Sequence, residues 1–136
     1  MQTLKIENLY HKYGIFEVLN NISLSVQSGE TLALVGPSGC GKSTLLHIIA
    51  GLLTQSEGRI EQPFAQLACM FQSPRLLPWK SALDNIALGL KARRISKQQR
   101  QQQAGELARQ LGLSADDLLK YPHELSGGMQ SRVALA

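Results

Sequence analysis

The nine residues Gly36-Pro37-Ser38-Gly39-Cys40-Gly41-Lys42-Ser43-Thr44 fit the pattern G-x-x-x-x-G-K-[ST] at every fixed position, and they constrain the fold more than any other stretch. Glycines at these positions let the backbone take positive φ and bring successive N–H groups close to an anion with no side chain in the way. Lys42 is then placed to reach β and γ phosphates, and the Ser43 hydroxyl to ligate a magnesium ion bound with them. The flanks agree with the motif. Thr31 to Val35 is a nearly continuous apolar run, and Thr44 to Leu53 is a helical apolar run. The order strand, loop, helix puts a helix N-terminus under the loop, where its unbonded N–H groups and dipole favour negative charge.

The 136 residues suffice for one domain, and a hydrophobic content of 43% supports a packed core. Few of those residues are aromatic, so the core must be aliphatic. The formal charge of +4 is mild, and Lys91, Arg93, Arg94, Lys97 and Arg100 concentrate it. This group reads as a solvated helix face, and no nucleic-acid partner is expected. Cys40 falls in the phosphate loop and Cys69 in an expected buried strand, which argues against a disulfide and for a reducing compartment. No apolar run is long enough to cross a bilayer and no signal peptide opens the chain, so a cytosolic location is expected, with any membrane link made through a partner.

Leu4 to Glu7 and Ile22 to Val26 alternate apolar and polar residues, which predicts half-buried strands of an antiparallel ribbon. Tyr10 to Gly14 reads as the loop between them. An aromatic ring there can stack on a purine base. Leu32 to Val35 lacks alternation and predicts a parallel strand buried on both faces. Arg59 to Glu61 is a short strand, and Gln66 to Phe71 another buried one. Pro74 and Pro78 keep the next segment irregular. Ser81-Ala82-Leu83-Asp84 then has the form of an N-capping box opening a helix to about Leu90, and Ser114 to Asp117 repeats it. Between them Ala104, Leu107, Ala108 and Leu111 recur at helical spacing, and Gly112 stops the helix.

A second anion site follows at Ser126-Gly127-Gly128, ahead of a helix from Met129 onward. On its own this is a common helix cap. With the phosphate loop, Tyr13, Gln72 and the helical insertion in order, however, the whole chain resembles the nucleotide-binding subunit of ABC transporters. The resemblance implies an α/β fold: a P-loop NTPase core of the ABC ATPase kind with an antiparallel β ribbon and a helical subdomain. Residues 1–72 would form the ATP-binding core and residues 73–126 the helical subdomain. Residues 127–136 would begin the helix after the signature.

In that family an aromatic at the place of Tyr13 stacks on adenine, and the loop from Gly36 to Thr44 holds the phosphates of ATP with Mg2+. Gln72 matches the glutamine that senses the metal and the attacking water. Ser126, Gly127 and Gly128 match the residues that cap the γ-phosphate of ATP held by a second subunit, so two copies, or two paired ATPase subunits, bind head to tail. The implied partners are a transmembrane permease and, indirectly, a periplasmic or lipid-anchored solute-binding protein, with this subunit peripheral on the cytoplasmic side. Leu76, Leu77 and Trp79, followed by Asp84-Asn85-Ile86, look like importers of nitrate, sulfonate and taurine, which points to a small anion as the transported solute. Those apolar residues suit either a groove for the permease or the core beneath the irregular segment.

The family often has Gln where this chain has Met129 and Ser131, and no loss of ATP binding is expected from that. The sequence ends at Ala136, before a Walker B carboxylate pair or a switch histidine; His11, His47 and His123 are expected to have local structural roles. ATP binding without hydrolysis is therefore the expectation for these 136 residues, with a central strand left unpaired. A soluble ABC-type ATPase of DNA repair or translation, and a noncatalytic truncated remnant, are the alternatives.

Overall fold

In the computed structural model, which describes residues 2–91 and 93–136, the chain forms two compact units, one up to Cys69 and the other Met70–Ala136. The first is built on a long hairpin. Strands β1 (Thr3–Tyr13) and β2 (Phe16–Gln27) pair antiparallel around a turn at Gly14, whose φ is +60°; β3 (Glu57–Glu61) adds to the other edge of β1, giving the order β2-β1-β3. Tyr10 to Tyr13, expected as loop, belong to β1, because backbone pairing carries the hairpin on to Tyr13 opposite Phe16.

Asn8 takes a positive φ of 46° where the register shifts between Ile6 and Leu9, and Asn21, at 50°, sits at the next shift, between Leu9 and His11. The bulge adds one residue to the alternation, so that Ile6 and Leu9, three apart, both face the core. Gly58 of β3 crosses here, and a Cβ on it would strike the Asn8 carbonyl and lie 2.7 Å from Leu9 Cα. Helix α1 (Lys42–Ile49) covers this face with Leu45 and Ile48, which join Ile6, Leu9 and Leu19 in an aliphatic core flanked by Ile22, Leu24, Leu34, Leu53 and Ile60.

Two expected strands are corrected. Neither residues 31–35 nor residues 66–71 have strand structure. Leu32 and Val35 are 49% and 93% exposed, Leu67 and Met70 50% and 55%, and Cys69 is exposed. A strand is buried on both faces only when neighbours pair its backbone and cover its sides. None of the described strands does so here, so an apolar composition alone did not bury these segments.

The second unit is helical: α2 (Ala82–Ile86), α3 (Leu88–Lys91), α4 (Lys97–Gln110), α5 (Ala115–Leu119), a 3-10 turn (Pro122–Glu124) and α6 (Gly127–Leu135). The helix expected from Ser81 to about Leu90 is thus two short ones parted at Ala87. Ser81 and Ser114 cap as expected. Ser81 Oγ accepts from Asp84 N–H at 3.2 Å, and the Ser114–Asp117 box is closed in both directions. On α4 only Ala104 and Ala108 are fully buried, while Leu107 is 37% exposed. The small residues let α2 and α5 approach α4, and Ile86, Leu113, Leu118, Leu125 and Val133 fill the centre. Gly112 ends the helix with φ +76°.

Candidate functional site

The phosphate loop turns on two glycines of positive φ, Gly39 at 83° and Gly41 at 90°. Gly41 is the N-cap of α1 and is buried against the hairpin: a Cβ on it would sit 2.8 Å from both Val18 O and Leu19 Cδ2. The loop therefore cannot carry a side chain there without moving β2. Leu45 N–H donates to Gly41 O at 2.9 Å as the first bond of the helical ladder, so the N–H groups of Lys42, Ser43 and Thr44 precede it and lie at the positive end of the helix.

Lys42 Nζ folds over the loop and donates to the carbonyls of Gly36 and Pro37, both at 2.7 Å, with Cys40 Sγ at 3.4 Å. An ammonium held over a glycine-rich turn, above helix N–H groups, is a cationic cradle for a polyphosphate. Gly36 adds to it: a Cβ there would lie 2.8 Å from Cys40 Sγ. Ser43 is exposed on the first turn of α1, and its hydroxyl is a hard oxygen ligand suited to magnesium. These residues fit a nucleoside triphosphate with its metal.

Tyr13 ends β1 with its ring 47% exposed. Its ring meets that of His11 edge to face, centroids 4.8 Å apart and planes at 86°. His11 is buried, and among the described residues neither ring nitrogen has a hydrogen-bond partner. All the residues named so far belong to the first unit.

In the second unit Gln72 lies on an exposed bend near its start. Ser126 is the N-cap of α6, with Oγ accepting from Met129 N–H at 3.3 Å. Gly127 and Gly128 are exposed at the head of that helix with ordinary φ, and a Cβ on either would meet nothing within 4 Å. Nothing within the chain requires glycine at these two places.

Two residues that organise this unit were not singled out by sequence. Gln130 Nε2 donates to Pro122 O at 2.8 Å and Leu125 O at 3.2 Å, which ties α6 to the turn before it. Asn85, quoted only for its family resemblance, accepts from Leu77 N–H and donates to the carbonyls of Leu77, Lys80 and Ser81, so one amide holds the segment that carries Leu76, Leu77 and Trp79. Leu76 packs on the helical core, Leu77 is half-buried and Trp79 is 71% exposed. No periodicity marks a side-chain amide that bonds to backbone.

The basic residues behave as a solvated face. Lys91, Arg93, Arg94 and Lys97 are exposed and Arg100 is half-buried. His47 is half-buried on α1, and His123 stacks on Tyr121 in the 3-10 turn. Among the described residues no helix is long and apolar enough to cross a membrane.

A model of the ABC transporter family matches residues 19–136. The chain is 42% identical over 140 residues to the taurine import ATP-binding protein TauB of Escherichia coli O157:H7 and 41% identical to that of Shigella sonnei, covering 98% of this chain in each case. It spans about half, 54%, of the length of these relatives. Among solved structures, a dimeric ATP-binding cassette in a post-hydrolysis state, bound to ADP and phosphate, superposes with a TM-score of 0.86 at 30% identity, covering 97% of this chain and 67% of that one. An ATP-binding subunit of an ABC transporter gives 0.83 at 26% identity, covering 98% and 60%.

Proposed function

The chain belongs to the ABC transporter family and has the fold of its ATP-binding cassettes, and from that we propose that it is the ATP-binding part of an importer, peripheral on the cytoplasmic side of the membrane. The observation that carries this reading is the cradle itself, with Lys42 Nζ over the Gly36 and Pro37 carbonyls at the head of α1. In this role Lys42 turns from those carbonyls to the β and γ phosphates, exchanging two neutral acceptors for anionic ones. The N–H groups at the start of α1 bind the same anion, and the exposed face of Tyr13 takes the adenine ring. Ser43 would hold Mg2+, which supplies charge neutralisation of the phosphates.

Gly36 to Thr44 is then one half of a composite site, and Ser126, Gly127 and Gly128 of a second subunit are the other half. Support for the second half comes from position: Ser126 caps α6, and Gly127 and Gly128 are exposed at the head of that helix, with open space where a partner's nucleotide would lie. A homodimer is the simplest pairing, and the dimeric cassette bound to ADP and phosphate is its precedent. The importer reading, with a permease bearing on Leu76, Leu77 and Trp79 and a small anion such as taurine, sulfonate or nitrate as solute, rests on the similarity to the taurine import proteins.

The test is calorimetric titration of the chain with ATP and magnesium. Saturable binding that Lys42→Ala abolishes is the expected result, and binding of equal strength in that variant would overturn the assignment. Capture of the tagged protein from solubilised membranes tests the importer half; if no integral membrane protein accompanies it, a soluble ABC-type ATPase becomes the better description.

A further inference from the structure

Alternate residues of a strand share a face, so Leu9, His11 and Tyr13 run along one side of β1 from the core to its rim. Their exposure rises in the same order, from 0% at Leu9 through 7% at His11 to 47% at Tyr13. His11 is thus the last buried side chain before the ring assigned to the base. The backbone on either side of it is held as well. Lys12 N–H donates to Ser56 Oγ at 3.1 Å, and Ser56 N–H donates to Tyr10 O at 2.9 Å, so both backbone neighbours of His11 are tied to the segment ahead of β3. Across the ladder His11 pairs with Leu19, whose Cδ2 abuts the place a Gly41 side chain would take. One strand pair therefore connects the ring contact to the phosphate loop.

We propose that His11 is a positioning residue for nucleotide recognition: its buried ring, set edge to face against Tyr13, fixes the orientation in which Tyr13 presents its open face to the purine. This rests on the reading of Tyr13 as the base platform. Beyond Tyr13 the chain turns at Gly14, and Ile15 and Phe16 are 90% and 72% exposed, so the hairpin tip offers little else to hold the ring. The imidazole makes no hydrogen bond among the described residues, and what it supplies to Tyr13 is a planar wall. An aromatic pair of this geometry is preferred over a loose one by an amount that matters to a ligand stacking on its outer member.

The experiment compares ATP with inorganic tripolyphosphate, which shares the phosphate cradle and lacks a base. His11→Leu fills the site without a planar ring, and is expected to lose about two- to tenfold in ATP affinity while binding tripolyphosphate as the parent does. His11→Phe restores the planar wall and is expected to restore the preference for ATP. Tripolyphosphate binding serves as the check on folding in every variant. A Leu variant that keeps the parent's preference, or a Phe variant that binds tripolyphosphate normally and loses that preference, overturns the assignment. Tyr13→Ala separates the two claims. If that change leaves the preference untouched, the base platform itself is misassigned; if it removes the preference and His11→Leu does not, only the positioning role falls.

Discussion

Asp117 shows how much a single carboxylate can organise at a helix start. Its Oδ2 accepts from Ser114 N–H at 3.0 Å and Ser114 Oγ at 2.7 Å, and its Oδ1 accepts from Lys120 Nζ at 2.7 Å. The Lys120 ammonium first, then the Ser114 hydroxyl and N–H, lower its pKa from 3.8 to about 2. A carboxylate depressed in the folded state stabilises it at pH above the unfolded value, and that contribution is lost as pH falls from 3.8 towards 2. In an acid titration followed by helical circular dichroism, Asp117→Asn should therefore cost stability at neutral pH and flatten the loss in that window; an unchanged acid limb would refute the pairing. The two positive-φ glycines of the phosphate loop make a second comparison. Gly39→Ala places a residue at φ +83° in open space and should cost about 1–2 kcal/mol in denaturant unfolding. Gly41→Ala adds a collision with Val18 O and should cost clearly more and weaken ATP binding. This loop was legible in the sequence because glycine spacing reports directly on φ. His11 was not: its burial depends on the phase of β1 after the Asn8 bulge, and two asparagines do not announce a bulge.

Among elements, the capped starts were the most legible, since a serine with an acid three residues on describes a local exchange of hydrogen bonds that needs no tertiary partner. The same locality bounds what a cap is worth. Ser126→Ala removes the acceptor of Met129 N–H and should cost about 1 kcal/mol in thermal unfolding, no more, because Gln130 and Arg132 still tie α6 to Pro122, Leu125, Leu111 and Gly112. The segment before α2 depends on one side chain instead. Asn85→Leu leaves the Leu77 N–H and the Lys80 carbonyl without their side-chain partner, while the Leu77 carbonyl keeps the Lys80 N–H at 3.1 Å, at a cost of about 1–3 kcal/mol. Trp79 is the chain's one tryptophan, so fluorescence anisotropy reads that segment directly. It should fall in Asn85→Leu, and an unchanged anisotropy would mean that packing of Leu76 alone fixes the segment. Segments 31–35 and 66–71 mark the other limit. Their composition says that they belong beside other strands, and burial is a property of those neighbours, so sequence named a tendency that the described structure does not realise.

For the whole molecule the decisive question is what brings two copies together, because the chain offers two unlike surfaces for it. One is apolar. Leu32, Val35 and Leu67 are exposed in the first unit, and Leu67 lines an open cavity of about 390 Å³ with Ile48, Ile49, Leu53 and Ile60. Association through such a surface is driven by burial of hydrocarbon and has no reason to respond to nucleotide. The other is the proposed pair of anion sites, Lys42 with its loop and Ser126 with its two glycines, which on that proposal complete each other only when a triphosphate lies between two copies. Sedimentation with and without ATP and magnesium distinguishes them. Val35→Lys should reduce the association seen without nucleotide. Gly128→Asp is the sharper change: within the chain a Cβ there meets nothing within 4 Å, the position is exposed, and an acid in the first turn suits the helix dipole, so stability and monomer binding of ATP should be unchanged. Facing the γ-phosphate of a partner's nucleotide, the same carboxylate is repelled, and ATP-dependent dimerisation should be lost. If Gly128→Asp dimerises with ATP as the parent does, the signature glycines do not face the second nucleotide and the composite site is wrong, whatever Lys42 binds.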